Sequence, residues 1–229
     1  NGDEIEIEPT EITFSAEAAE KGGFEHFMMK EIHEQPKAVL DTLNSVLKED
    51  RIDLSEVGLT DEEIQNISQI YIVACGSAWH VGMAAQYIFE DLAELPVRVE
   101  LASEFRYRRM PLDSNALVVV ISQSGETADS LAALREAKTK GLKTMGIVNV
   151  VGSSIAREAD RVFYTLAGPE IAVATTKAYS AQLIACDILA VQFGKVRGKL
   201  TEEQYGELIA KLRLLPEKMS RLLEEKVRI

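Results

Sequence analysis

Four polar side chains close together in the middle of the sequence could bind an anion. Ser122, Gln123, Ser124 and Thr127 surround Gly125, and no lysine or arginine lies among them. Hydroxyl and amide groups donate hydrogen bonds to a charged acceptor, each worth about 1.5–3 kcal/mol. A phosphate monoester has enough oxygens to use several such donors together, whereas a carboxylate would leave some of them unused. The residue types therefore indicate a phosphate-binding loop.

The residues around this loop predict a strand before it and a helix after it. Residues 117–121 are apolar and mostly β-branched, which is typical of a strand buried on both faces of a parallel sheet. An amphipathic run follows from residue 128. This arrangement places backbone N–H groups at the positive end of a helix dipole, where anions bind. Helix capping by serine and threonine is the alternative, but four polar side chains in six residues are more than a cap needs.

A second turn of the same design follows an earlier apolar run. Residues 70–74 are typical of a strand, and Cys75, Gly76 and Ser77 lie in a turn between it and a helix. Two such turns at the carboxyl edge of one open α/β sheet can face each other, and that edge is where such sheets bind ligands. Cys75 is interpreted as a structural residue rather than a nucleophile, because the nearest basic side chain, His80, lies about one turn into the helix.

The composition disfavours several classes of partner. The 229 residues include 25 basic and 37 acidic side chains, for a net charge of −12, which argues against nucleic acid or an anionic membrane surface as a partner. The longest apolar runs are strand-sized, so no membrane-spanning segment is predicted.

Cys75 and Cys186 are the only cysteines and lie far apart in sequence. This spacing indicates no disulfide framework and favours a reducing cytoplasm.

The sequence predicts neither a metal nor an organic cofactor. His26 and His33 lie seven residues apart in one helical pattern, but no third ligand is near them, so a packed or solvated pair is the preferred interpretation. The turn at Gly76 lacks the three glycines of a dinucleotide-binding loop, and no Walker lysine follows a glycine-rich turn. Nucleotide binding therefore has no support in the sequence.

Strand and helix patterns alternate five times along the chain. The predicted strands are residues 70–74, 97–101, 117–121, 144–148 and 162–166. This alternation predicts a three-layer α/β/α fold around a five-stranded parallel, flavodoxin-like sheet. Amphipathic runs before and after the sheet predict helical extensions at both ends.

Three further expectations concern single positions. Pro36 lies within a helical pattern and should kink that helix or begin a second one. Lys177, at the start of a long helix, is expected to pair with Glu170, with assistance to a bound ligand as the alternative. The arginine-rich turn at residues 106–109 is interpreted as a solvated turn paired with nearby acidic residues, with a subunit contact as the alternative.

These motifs, in this order, resemble the sugar isomerase (SIS) domain family. The resemblance rests on residues 122–129, 75–77, 102–107 and 175–178. More narrowly, residues 21–28 and 31–36 resemble the connector found in the glutamine:fructose-6-phosphate amidotransferase family, in which two SIS domains follow a glutaminase domain. The match covers nearly the whole chain.

The resemblance implies roles for particular residues. Contacts with the substrate phosphate are implied for Ser122, Gln123, Ser124 and Thr127. Contacts with the sugar are implied for Cys75, Gly76, Ser77, Val173 and Thr175. Ala78 departs from the family pattern, which has a hydroxyl there, and this removes one hydrogen bond worth about 1 kcal/mol.

The resemblance also implies domain boundaries, and it implies which domain supplies the catalytic groups. The expected segments are 1–20, a remnant of a preceding domain and linker; 21–58, connector helices; 59–195, the SIS domain; and 196–229, a helix leading towards a second SIS domain. In the family that second domain supplies the catalytic groups. We therefore expect this chain to bind fructose 6-phosphate or glucosamine 6-phosphate without converting it, to contain no catalytic residue and to form a homodimer.

Two other functions remain open from the sequence. A regulatory SIS domain that senses a sugar phosphate would carry a DNA-binding or partner-binding segment, and the acidic balance disfavours DNA. An amino-sugar deglycase or deaminase would share the phosphate loop, and its catalytic residues would lie beyond residue 229.

Overall fold

The computed structural model describes residues 20–225. Apart from Glu20, the predicted remnant and linker at residues 1–20 lie outside this described part. The strands are β1 (Ile70–Ala74), β2 (Val97–Leu101), β3 (Leu117–Ser122), β4 (Lys143–Val148) and β5 (Arg161–Tyr164). The helices are α1 (Phe27–Val46), α2 (Asp61–Asn66), α3 (Gly76–Ala93), α4 (Ala102–Phe105), α5 (Ala128–Thr139), α6 (Ser154–Glu158), α7 (Lys177–Val196), α8 (Glu202–Arg213) and α9 (Leu215–Glu224).

The five strands form one parallel sheet in the order β2-β1-β3-β4-β5. This is the flavodoxin-like order, and it confirms the predicted fold class. The chain reverses its direction of travel across the sheet between β1 and β3. Open α/β sheets bind ligands in the crevice at such a switch point, outside the carboxyl ends of the strands.

Alternate residues of each strand divide between two hydrophobic cores, one on each face of the sheet. In β1, Ile70 and Ile72 belong to the core that also contains α3 and α7 side chains. Tyr71 and Val73 belong to the opposite core, under α5. Because side chains alternate with a period of two, a central strand must be apolar at every position to fill both cores. This pattern confirms the three-layer arrangement.

The last strand ends two residues earlier than the sequence indicated. β5 stops at Tyr164, and Leu166 has a left-handed backbone with a φ of 52°. Such a φ cannot continue an extended strand. Thr165 is already turned towards the neighbouring loop, where its hydroxyl donates a hydrogen bond to Asn149 Oδ1 over 3.2 Å. The turn carries the chain back over the carboxyl edge of the sheet.

Helix α1 runs through Pro36 without starting a second helix. Proline lacks the N–H that would bond the carbonyl four residues earlier, which here is that of Ile32. The side-chain amide of Gln35 donates to the Ile32 carbonyl over 3.1 Å and satisfies it instead. The oxygen of the same amide accepts a 2.6 Å hydrogen bond from Ser180 on α7. Gln35 therefore keeps α1 continuous and joins it to α7.

Helices α8 and α9 form the C-terminal helical extension that the sequence predicted, and α2 precedes the sheet. Thr60 and Glu63 form a capping box at the start of α2. The C-terminal helical pattern is divided near Pro216, which lies in the first turn of α9. In the described part of the chain, every helix is too short or too polar to cross a bilayer.

Asp187 is a largely buried carboxylate on α7. Burial raises its pKa to about 6, and its Oδ1 has no hydrogen-bond partner among the described residues. Because the folded-state pKa lies above the ordinary value of 3.8, the native state binds more protons than the unfolded chain between these two pH values. The stability contributed by this group is therefore present at low pH and is lost as the pH rises through about 6.

We expect Asp187→Asn to raise the free energy of unfolding at neutral pH by about 1–3 kcal/mol, since the amide avoids burying a charge. Urea denaturation at several pH values measures this effect. The difference in free energy of unfolding between variant and wild type should grow between about pH 4 and pH 6 and stay constant at higher pH. Asp91→Asn, at an exposed position of α3, is the matched control. A difference that does not change with pH would contradict this account of Asp187.

Candidate functional site

The two predicted turns leave the sheet side by side at the switch point. Ala74 of β1 pairs with Ile121 of β3 at the carboxyl edge. The Cys75 turn and the Ser122 loop therefore start on adjacent strands, at the carboxyl edge where the sequence placed both turns. Each turn enters a helix, so the N-termini of α3 and α5 both lie beside this edge.

The Ser122 loop is held in shape by its own hydrogen bonds. Ser122 Oγ accepts from the backbone N–H of Gly125 over 3.1 Å and lies 3.0 Å from Thr127 Oγ1. Ser124 Oγ accepts from the backbone N–H of Glu126 over 3.2 Å. A hydroxyl that accepts one hydrogen bond still has its own proton to donate. Ser124 can therefore donate to a ligand without disturbing the loop.

Capping does not account for these hydroxyls at α5. Thr127 is the N-cap residue of that helix, but its side chain makes no capping hydrogen bond in the described structure. Its Oγ1 is directed to Ser122 instead. The N–H groups of the first turn of α5 thus keep the partial positive charge that attracts an anion.

The negative charge of Glu126 is directed away from the loop. Its carboxylate accepts a 2.7 Å hydrogen bond from the backbone N–H of Ser154, at the start of α6. Hydrogen bonds from Ser154 hold the pKa of Glu126 below its ordinary value, with a smaller contribution from the charge of Arg157. An acidic residue inside the loop is therefore compatible with anion binding.

A pocket of about 240 Å³ opens between the two turns. It contains every predicted site residue except Gly76, which lies in the backbone turn with a φ of 57°. Its lining is Cys75, Ser77, Ala78, Ile121, Ser122, Gln123, Ser124, Thr127, Glu170, Ala172, Val173, Thr175 and Gln182. The two turns and the segment before α7 therefore share one cavity at the switch point.

The third wall of the pocket is the segment between β5 and α7. Val173 and Thr175 were expected there, whereas Glu170 and Ala172 of the same segment, and Gln182 on α7, were not identified from the sequence. The Glu170 carboxylate accepts hydrogen bonds from Thr176 N (2.8 Å), Ala178 N (3.2 Å) and Thr175 Oγ1 (2.8 Å). The sequence signal for this contact with the first N–H groups of α7 is an acidic residue shortly before the predicted helix.

The expected ion pair between Lys177 and Glu170 is wrong. Lys177 is 3% exposed, and its Nζ lies 2.6 Å from Glu34 Oε2 on α1. Glu170 is instead engaged by the N-terminus of α7. Closeness in sequence favoured Glu170, but α1 packs along α7 and brings Glu34 to the lysine.

Cys75 and His80 do not form a nucleophile and base pair. Ser130 Oγ lies 3.9 Å from the Cys75 sulfur as a weak donor. His80 Nδ1 lies 3.0 Å from the carbonyl oxygen of Gly76, and its ring packs edge-on against Trp79. These contacts favour the structural interpretation of both residues. Among residues 20–225 there is also no group of three potential metal ligands.

The site and the fold define the class of this protein. Residues 63–192 match the SIS domain family, so the chain belongs to that family, as the motifs indicated. It is 52% identical over 224 residues to glutamine–fructose-6-phosphate aminotransferase (isomerizing) of Clostridium tetani, covering 97% of this chain and 37% of that protein. The corresponding enzyme of Methanosarcina mazei is 47% identical over 225 residues, covering 97% of this chain and 36% of the enzyme.

Solved structures agree with the sequence relatives. The C-terminal domain of glucosamine-fructose-6-phosphate aminotransferase from Francisella tularensis superposes with a TM-score of 0.83 at 41% identity, covering 86% of this chain and 56% of that chain. A putative phosphosugar isomerase from Silicibacter pomeroyi has a TM-score of 0.70 at 29% identity, covering 85% of this chain and 56% of that chain. The chain thus spans little more than a third of the sequence relatives and about half of these structures.

Proposed function

We propose that this chain is the sugar-phosphate-binding part of an amidotransferase that makes glucosamine 6-phosphate from fructose 6-phosphate and glutamine. The observation that carries the proposal is the pocket at the switch point, where the Ser122 loop and the Cys75 turn face one cavity. The high identity to glutamine–fructose-6-phosphate aminotransferases over nearly the whole chain supports the choice of substrate.

The phosphate is assigned to the Ser122 loop. Ser124 has a proton to donate, Gln123 has an amide, and Ser122 and Thr127 form a hydroxyl pair beside the N-terminus of α5. Neutral donors and a helix dipole can hold a dianion at such a place without a lysine or arginine. This local attraction also offsets the chain's unfavourable net charge of −12.

The sugar is assigned to the other two walls. Ser77 offers a hydroxyl and Thr175 a further one, while Val173 provides apolar contact and the Cys75-Gly76 backbone brings the chain close to the ligand. Ala78 lines the pocket with a methyl group where the family has a hydroxyl. In this arrangement phosphate binding anchors one end of the substrate and positions the carbon chain for reaction.

We assign no catalytic residue to this chain. In the described part, Cys75 and Glu170 are the titratable groups that line the pocket, and the Glu170 carboxylate is already used by three donors. The proposed organisation is connector helices at 21–58, the SIS domain at 59–195 and a C-terminal helical segment at 196–229. Chemistry at the bound sugar then requires groups outside this SIS domain.

We also propose that the protein is a cytoplasmic homodimer. Both cysteines are free thiols, which suits a reducing compartment. In the turn at residues 106–109, Arg106 pairs with Asp129 and Arg108 with Glu100, while Tyr107 is 76% exposed. An exposed aromatic beside arginines is a common composition of protein interfaces. Light scattering of the chain at several concentrations measures this assembly directly.

The phosphate assignment predicts that Ser124→Ala weakens binding of fructose 6-phosphate by about tenfold to a hundredfold, the loss of one hydrogen bond to a charged group. Calorimetric titration of wild type and variant with fructose 6-phosphate, glucosamine 6-phosphate and free fructose measures it. Ser220→Ala, on α9 and away from the pocket, is the control. Equal affinity of the wild type for fructose and fructose 6-phosphate would contradict the phosphate assignment.

A further inference from the structure

The pocket wall between β5 and α7 has no regular secondary structure of its own. Residues 165–176 form neither helix nor strand, yet Glu170, Ala172, Val173 and Thr175 all line the pocket. A segment of this length that lacks a regular ladder of backbone hydrogen bonds needs other contacts to keep one shape, because its conformational entropy opposes a fixed geometry. The contacts that hold it therefore decide the shape of the pocket.

One end of this segment is held by the turn after β4, and the other by the start of α7. Asn149, after β4, accepts a 2.7 Å hydrogen bond from Ala167 N and donates a 2.7 Å bond to the Gly168 carbonyl. At the other end, Glu170 bonds the first N–H groups of α7. These contacts attach the segment to the sheet and to α7, but they leave its middle, at residues 171–173, to be held from elsewhere.

The middle is held by a carboxylate from α1. Glu31 Oε1 accepts the backbone N–H of Ile171 over 2.6 Å and that of Ala172 over 3.1 Å. Glu31 is 2% exposed and lies 140 residues before Ile171 in the chain. Hydrogen bonds to a buried carboxylate are among the strong ones, and two donors on one oxygen fix the direction of that stretch of backbone.

A second link joins the same two regions. The ion pair between Glu34 on α1 and Lys177 lies just beyond the segment, where the Lys177 side chain also passes close to Gly168. The phosphate loop, by contrast, is tied by its own hydrogen bonds and by α6, whose Ile155 N donates to the Gly125 carbonyl over 3.0 Å. Asn149 contacts both walls, because its backbone N–H also donates to the Gln123 carbonyl over 3.1 Å. Among the described residues, the Glu31 carboxylate bonds only the wall between β5 and α7.

We propose that Glu31 is a positioning residue of the sugar-phosphate site: through the N–H groups of Ile171 and Ala172 it holds the pocket wall in the shape that contacts the sugar. This inference rests on the proposed function. Docking of α1 onto α7 then sets the affinity for the sugar part of the ligand, while affinity for phosphate alone depends on the Ser122 loop. The connector helix is in this way part of the binding site without touching the ligand.

The test compares two probes on the full chain. Glu31→Ala should weaken binding of fructose 6-phosphate by about tenfold or more, the equivalent of one charge-assisted hydrogen bond, and leave binding of inorganic phosphate within about twofold. Glu31→Gln keeps an oxygen acceptor at the same place and should recover part of the lost affinity. Asp41→Ala removes another carboxylate from α1, one that pairs with Lys37, and is the matched control.

Hydrogen exchange provides a readout that does not depend on the ligand. The amides of Ile171 and Ala172 should exchange faster in Glu31→Ala and Glu31→Gln than in the wild type, whereas Gly125 and Glu126 in the phosphate loop should be unchanged. If Glu31→Ala does not fold, Glu31→Gln decides the matter on the same two measurements. The proposal would be overturned if the folded variants bound fructose 6-phosphate with wild-type affinity. It would also be overturned if they lost affinity equally for fructose 6-phosphate and for inorganic phosphate. Failure of the wild type to bind fructose 6-phosphate would instead overturn the proposed function.

Discussion

Gly125→Ala is expected to abolish tight sugar-phosphate binding and to lower the free energy of unfolding by about 3 kcal/mol, from overpacking together with left-handed strain. Gly125 has a φ of 65°, and a Cβ there would lie 2.0 Å from Ser153 Oγ and 2.5 Å from Ser153 Cβ. Either the Ser122 loop or the Ser153 turn must move. The phosphate donors lie on both sides of Gly125. Movement of the loop would therefore change their positions relative to each other, so that they no longer point at one phosphate.

A second substitution separates the clash from the backbone strain. Ser153→Gly removes both atoms that the new Cβ would meet, so the double variant should recover the part of the stability lost to the clash. Gly141→Ala is the control, since Gly141 has a φ of 75° and a Cβ there would meet no atom within 4 Å; it should lose only about 1–2 kcal/mol of left-handed strain. Chemical denaturation and calorimetric titration measure the two effects. Equal losses in Gly125→Ala and Gly141→Ala would show that the close approach to Ser153 is unimportant.

Gly194→Ala should destabilise the protein by about 2–3 kcal/mol, although alanine is the better helix former. Gly194 lies in α7 where this helix crosses α3, and a Cβ would come within 2.4 Å of the Leu92 carbonyl oxygen and 3.0 Å of Leu200. A backbone oxygen cannot turn aside as the end of a side chain can. The two helices must therefore separate along an extensive contact, and the core on that face of the sheet loosens.

Gly206→Ala is the matched control for this prediction. Gly206 is an exposed helical glycine on α8, and a Cβ there meets nothing within 4 Å. This substitution should stabilise the protein by about 0.5–1 kcal/mol, because alanine restricts the unfolded chain and favours the helix. Urea denaturation of both variants measures the contrast. A stabilising effect of Gly194→Ala would mean that α3 and α7 can separate there at little cost.

The sheet and the two turns were predictable because their signals are local. β1, β2 and β3 are runs of alternating or continuous apolar residues, and the strand-to-helix alternation limits the topology to a few choices. Once the strands are parallel, the Ser122 loop and the Cys75 turn must emerge at the same edge. The end of β5 was less predictable, since Leu166 is apolar but adopts a left-handed backbone that its side chain does not indicate.

The family, the succession of strands and helices, and the polar loops that flank the pocket were predictable from the sequence, because those features depend on residues within a few positions of each other. The pairing of Lys177 with Glu34 rather than Glu170, and the contact of Glu31 with the backbone of Ile171 and Ala172, became visible only in the fold. Such contacts depend on how α1 packs against α7. No local sequence pattern predicts that packing, because it results from burying the apolar faces of elements that lie far apart in the chain.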